Sequence, residues 1–328
     1  DMIAFDSEAN AWIGFGRNDD LASAQTISKS NETFLAATDV NGMIFASTAN
    51  GDLYVLNEED PSEATYVTNL GMVLTDMAYD AETETIYGIS DNQLVTVDKL
   101  LGTVEVLGEI GITTNTLACD DEGNFYCVAY GDTNSVTNRG FVYRFTLDTM
   151  AEPVAITNEV HSNNYVQALE MNPNNGKLYW NSYYYINFGF FMFVFADLYE
   201  IDPATGEVVT LADFGHELTA LCIPVKSSGG SWSQPTEQVS SVVLSNENLS
   251  ILRDNKAQLS ASVLPWTATN RDVTWTSSDE SVATVDAKGI VTGVDVGQSV
   301  ITATSVLDPT VSASCVVTVE TVNSTLDG

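Results

Sequence analysis

Residues 77–97 read MAYDAETETIYGISDNQLVTV: an apolar strand ending on Asp80, a turn, the aromatic strand TIYGIS at 85–90, and a third strand begun by a tight turn. The same order recurs along the chain. Ala36-Ala37-Thr38-Asp39, Leu117-Ala118-Cys119-Asp120 and Leu169-Glu170-Met171-Asn172 align with Met77-Ala78-Tyr79-Asp80. Each leads into its own aromatic strand, MIFAS at 43–47, NFYCVA at 124–129 and KLYWNS at 177–182. Third strands follow in GDLYVLN, NQLVTVD, GFVYRFT and ADLYEID, and fourth strands in ATYVTNL, GTVEVLG, EPVAITN and GEVVTLA. Short β-branched and aromatic runs between Gly, Asn and Asp turns mark an all-β chain. Four antiparallel strands repeated every 40–50 residues are the signature of propeller blades, whose apolar faces only neighbouring blades cover.

The ends supply a fifth blade. Leu218-Thr219-Ala220-Leu221-Cys222-Ile223 reads as an inner strand with no partners after it. Met2-Ile3-Ala4-Phe5 matches Met43-Ile44-Phe45-Ala46 as a second strand; at the same offset Trp12-Ile13 and Gln25-Thr26-Ile27 fall on third and fourth strands. One C-terminal and three N-terminal strands then close the ring and leave no free inner edge. The expected organisation is a five-bladed β-propeller over 1–225, a linker KSSGGSWSQPTEQ over 226–238, an Ig-like β-sandwich over 239–320 and a tail over 321–328.

Leu198-Tyr199-Glu200-Ile201-Asp202, with Pro203 and the turn Thr205-Gly206, resembles the blades of bacterial propellers with LYxID-type repeats; this implies an architecture and no activity. Beyond the linker, seven or eight short alternating strands suit an Ig-like sandwich with Trp275 in its core. Ala268-Thr269-Asn270, Val273-Thr274-Trp275-Thr276-Ser277-Ser278-Asp279, Val282-Ala283-Thr284-Val285-Asp286 and Ile301-Thr302-Ala303-Thr304 resemble the bacterial Ig-like group 2 family. That resemblance implies an extracellular spacer or adhesion module of a bacterial cell-surface or secreted protein. The sequence opens at Asp1 without a leader, so a leader or anchor is expected to lie outside it.

Charge narrows the partners. The 328 residues hold 11 Lys plus Arg against 45 Asp plus Glu, a net charge of -34. Of these, 6 basic and 34 acidic residues precede Val225, and 4 basic and 10 acidic follow from Val239. Such a field repels nucleic acid and anionic lipid, and no apolar run is long enough to cross a bilayer as a helix. Cys119, Cys127, Cys222 and Cys315 form no C-x-x-C pair, and no metal site is expected. No cofactor is expected either, beyond calcium held loosely by carboxylates. Asp39, Asp80 and Asp120-Asp121 sit where side chains close turns, the alternative being calcium sites.

Two candidate binding sites follow. Long joints cluster at GDTNSVTNR (131–139), NEVHSNNY (158–165) and YYYINFGFFMFVF (183–195). Tyr183, Tyr184, Tyr185 and Phe188, with Asn163, Asn164 and Tyr165, would make an aromatic platform for a glycan or protein ligand; the alternative is a hairpin that buries its rings. At the channel mouth, Thr75, Asn115, Gln167 and Thr219 align as a neutral polar ring for a small ligand or for water. No catalytic residues are assigned. Asp76 and Glu170 stand at non-equivalent positions of different blades, and His161 and His216 lie in loops without nucleophilic partners. The expected function is a non-catalytic surface binding or adhesion protein with the Ig-like domain as spacer. A polysaccharide-active enzyme with a pocket in the channel, and a structural surface-layer component, are the alternatives.

Overall fold

The computed structural model describes residues 2–16, 24–57, 60–61, 64–130, 139–158, 160–161, 167–188, 191–215, 217–224 and 238–321. Asn163, Asn164, Tyr165, His216 and most of the 131–139 loop fall outside these residues. Apart from one 3-10 turn at Leu147–Thr149, the regular structure described is all strand. The chain divides into two compact units, Asp1–Trp232 and Ser233–Gly328.

The first unit is a five-bladed propeller. Blade one is Phe34–Val40, Met43–Thr48, Asp52–Asn57 and Ala64–Asn69, and blade two is Asp76–Asp80, Thr85–Ser90, Gln93–Val97 and Val104–Glu109. Blade three is Ala118–Cys119, Phe125–Tyr130, Arg139–Phe145 and Val154–Ala155, with Val160–His161 also paired to its third strand. Blade four is Ala168–Asn172, Lys177–Phe188, Phe191–Ile201 and Val208–Asp213. Blade five takes Leu218–Cys222 from the C-terminal side and Met2–Asp6, Ala11–Phe15 and Gln25–Lys29 from the N-terminus. Each inner strand packs on the next, and the fifth packs back on the first. Ile3 pairs with Cys222 and Phe5 with Thr219, and the Thr219 hydroxyl donates to the Phe34 carbonyl at 2.6 Å, tying the closing blade to blade one.

Burial follows strand position. Leu218–Cys222 is buried throughout, whereas the outermost Val104–Glu109 alternates exposed and half-buried residues. Inner strands covered on both faces need an apolar run; outer strands present an edge, which charges and bulges keep from pairing with other chains. In four blades the outer ladder slips by one residue at an equivalent point, between Trp12 and Ile13, Leu53 and Tyr54, Leu94 and Val95, and Leu198 and Tyr199. Apolar clusters fill the seams. Val128 and Val142 of blade three meet Leu178, Trp180 and Tyr199 of blade four, and Phe5 and Trp12 of blade five meet Phe34 and Ile44 of blade one. Gly206 shows how closely blades approach: its φ is +74°, and a Cβ there would lie 2.2 Å from the Ile156 carbonyl oxygen.

The register corrects one alignment. Asp39 pairs with Ile44, as Tyr79 pairs with Ile86 and Met171 with Leu178. A bulge between Phe34 and Ala36, together with the two-residue turn Asn41-Gly42, moves blade one by one step. Asp39 is therefore the equivalent of Tyr79, not of Asp80. The equivalent inner-strand residues of blades one to four are Asp39, Tyr79, Cys119 and Met171; Ile223 directly follows the inner strand of blade five.

The second unit is an Ig-like sandwich. One sheet orders Asn248–Leu252, Ser312–Glu320, Gly297–Ser305 and Val273–Ser277, its first pair parallel. Opposite lie Lys256–Gln258 with Ile290–Gly293 and Ala283–Val285, and Ser241–Leu244 with Ala261–Leu264. Leu259, Val291, Ile301, Cys315 and Val317 are completely buried, and Trp275 packs half-buried against both of the domain's apolar clusters. Cys315 carries no disulfide; packing joins the sheets, together with the Ser277 hydroxyl, which donates to the Ala283 carbonyl at 2.6 Å.

Candidate functional site

The propeller channel has two mouths. The upper mouth carries the joints between second and third strands, and there blade four departs from the others. Its second and third strands run 12 and 11 residues and pair in unbroken register from Leu178↔Ile201 to Phe188↔Phe191. The fourth strand stops at Asp213, opposite Asp197, so the hairpin beyond Asp197 is a two-stranded arm. Its register sets Tyr184 opposite Phe195, Ile186 opposite Phe193 and Phe188 opposite Phe191.

The base of the arm is internal structure. Tyr184 is buried, stacks on Phe195 with centroids 5.1 Å apart, and donates its hydroxyl to Asp197 at 2.9 Å. Burial and that carboxylate both push its phenol well above the ordinary range. Tyr183 is half-buried against the cluster shared by blades four and five. These two rings anchor the arm, while Tyr185 and Phe188 lie in its further part. Sequence alternation did not reveal this split.

The neutral ring at this mouth is bonded into its own scaffold. Gln167 is completely buried; its Oε1 accepts from the Trp180 indole at 2.8 Å and its amide donates to the Tyr183 carbonyl at 3.3 Å. The Thr75 amide donates to the Ile89 carbonyl at 2.9 Å, and Thr219 is held by Phe34. Asn115 is half-buried beside them.

Deeper in the channel, Asp76 is completely buried. One carboxylate oxygen accepts the amides of Leu117 at 2.8 Å and Leu169 at 2.9 Å; the other accepts its own strand's Met77 amide at 3.0 Å. A side chain of blade two thus holds the inner strands of blades three and four. Burial nevertheless raises its pKa well above the carboxylate range, against the pull of the three amides.

The lower mouth is acidic. A cavity of about 460 Å³ is lined by Asp39, Tyr79, Cys119, Met171 and Ile223, by Glu170, and by Asp120, Asp121 and Glu122 of the blade-three turn. Tyr126 and Pro173 are also in its wall. Asp39 closes its turn by accepting the Gly42 amide, Asp80 accepts those of Glu82 and Thr83, and Asp120 accepts those of Glu122 and Asn124 and the Tyr126 hydroxyl. Glu170 differs: it is 8% exposed and its carboxylate makes no hydrogen bond to any described residue. Burial first, then the Asp76 and Asp39 carboxylates, raise its pKa well above the usual range. Burial and Glu170 likewise push the Cys119 thiol far up, which removes it as a nucleophile at neutral pH. Among the described residues no three acidic, thiol or imidazole side chains are grouped to hold a metal ion.

Comparison with known proteins addresses the second unit. A family model, the bacterial Ig-like domain (group 2), matches residues 238–317. Residues 238–317 are a bacterial Ig-like domain. Such domains are typical of bacterial surface proteins. An α-L-arabinofuranosidase of Bifidobacterium longum is 42% identical over 97 residues, which is 29% of this chain and 9% of that enzyme. A 3-O-α-D-galactosyl-α-L-arabinofuranosidase of the same species is 47% identical over 91 residues, 25% of this chain and 8% of the enzyme. The matched stretches span less than a tenth of these relatives. A solved structure from Agrobacterium tumefaciens, a candidate TolB, superposes with 15% identity and a TM-score of 0.39 over 66% of this chain and 90% of its own. No helix among the described residues is long and apolar enough to cross a membrane.

Proposed function

We propose that the chain is a non-catalytic binding region of a bacterial extracellular or cell-surface protein. Its propeller takes a glycan at the upper mouth, and its bacterial Ig-like domain acts as a spacer. The observation that carries this reading is the arm of blade four, whose second and third strands run on past the end of its fourth strand at Asp213. Aromatic side chains on a rigid ribbon supply flat apolar area at low entropic cost, the usual means of holding a sugar face. Asp76 supports the non-catalytic reading, because both its carboxylate oxygens are held by backbone amides and neither reaches solvent. The relatives' printed names, which concern arabinofuranosides, select the first sugars to try.

The test is a glycan array that includes α-L-arabinofuranosyl and α-D-galactosyl-arabinofuranosyl oligosaccharides. Beside the native chain runs Tyr185→Ala/Phe188→Ala, which leaves the buried anchor Tyr184 in place. Binding that falls at least tenfold in the variant supports the arm as the glycan site. Binding that is unchanged in the variant removes the arm from the reading, and silence across the array removes the glycan.

A further inference from the structure

Glu170 is the least explained polar group in the propeller. The other acids around the lower mouth close turns or, like Asp121 and Glu122, face solvent. Glu170 is more than nine-tenths buried and lines the cavity, and its carboxylate has no hydrogen-bond partner among the described residues. An ionised carboxylate so placed costs several kcal/mol unless something charged or hydrogen-bonding meets it. Asp39 and Asp76 add negative potential at the same point. Among the described residues no lysine or arginine lines the cavity to offset that charge.

We propose that the lower mouth is a binding site for an organic ammonium group carried on an alkyl chain, with Glu170 as its deep counter-ion. Two features choose this class. The wall around the acids is Tyr79, Met171, Pro173 and Ile223, which suits a methylene stem and not a hydrated inorganic ion. The described acids, thiols and imidazoles also provide no grouped set of three for a metal. An ammonium is a compact charge with three donors, matched to one deep carboxylate with Asp39 beside it. The rim acids Asp121 and Glu122 give a second ammonium a partner, so a linear diamine is the best-matched free ligand. A lysine side chain offers the same chemistry on a peptide. An arriving ammonium favours the ionised carboxylate, and any proton that the buried Glu170 holds leaves to the buffer. This site lies at the opposite mouth from the glycan arm and stands independently of it.

Calorimetric titration of the whole chain with 1,5-diaminopentane at pH 7 tests the site, repeated in two buffers of different ionisation enthalpy. One arm replaces the diamine with Nα-acetyl-lysine amide and another with calcium. Glu170→Gln is compared with Glu105→Gln, which removes the same charge from the exposed outer strand of blade two. The expected result is one site per chain, proton release in the native protein, and at least tenfold weaker binding in Glu170→Gln alone. Binding by the lysine amide instead of the diamine assigns the ammonium to a peptide. Equal weakening in both variants makes the effect one of diffuse negative charge and overturns the proposal. So does the absence of binding by either amine, or calcium binding that depends on Glu170.

Discussion

The two mouths of one channel, built from the same five inner strands, have opposite chemistry. At the upper mouth the polar groups are neutral and bonded inward: Gln167 to Trp180 and Tyr183, Thr219 to Phe34. At the lower mouth a buried acid, Glu170, stands without a partner among the described residues. Asp76 separates the two, holding blades three and four through their amides. The repeat dictates where a strand runs, and single substitutions within it decide which end of the channel is finished and which is left reactive toward a ligand.

Breaking the partition itself should have the largest effect. Asp76→Ala leaves the Leu117 and Leu169 amides unpaired in the interior, and the propeller is expected to lose about 3–5 kcal/mol of stability in urea unfolding. At the upper mouth, Gln167→Leu leaves the Trp180 indole N–H without its acceptor, with an expected loss of about 1–3 kcal/mol by the same measurement. The lower mouth should respond with the opposite sign. Glu170→Gln removes an acid that burial disfavours, and at pH 8 it is expected to stabilise by about 1 kcal/mol.

The pH profile sharpens the contrast further. Asp76 and Glu170 both have raised pKa values in the folded chain, mainly from burial. The folded state therefore keeps protons that the unfolded chain releases. The resulting stability is full below the unfolded values, about 4, and is lost as pH rises through the raised folded values. The urea midpoint should fall from pH 5 to pH 8 in the native chain. A smaller fall is expected in Glu170→Gln, and the native slope in Gln167→Leu.

Closure of the ring was legible because the strand pattern of Met2–Phe5 repeats that of Met43–Ala46, and Ile3 does pair with Cys222. The Ig-like domain was legible from its strand pattern and from motifs such as Val273–Asp279. The acidic mouth was not. An ungapped alignment set Asp39 level with Asp80, and the bulge at Phe34/Ala36 that shifts it has no residue signature. Asp76 and Glu170 stood out as acids on inner strands, yet alternation tells only which way a side chain leaves its strand. That Asp76 reaches amides 41 and 93 residues away depends on the diameter of the closed ring. Tyr183 looked equivalent to its neighbour Tyr184, because burial at the arm's base is set by Asp197 and Phe195 across the hairpin.

The closing blade also has a consequence in time. Its hydrogen bonds join residues 210 and 214 positions apart, from Ser7 to Glu217 and from Thr219 to Phe5. During synthesis the three N-terminal strands emerge first and stay without an inner neighbour until Leu218–Cys222 has been made. Contacts of such long range form late and slowly. The ribosome thus releases nearly the whole propeller before its ring can shut, and until then the edge of Met2–Asp6 stays open to other strands.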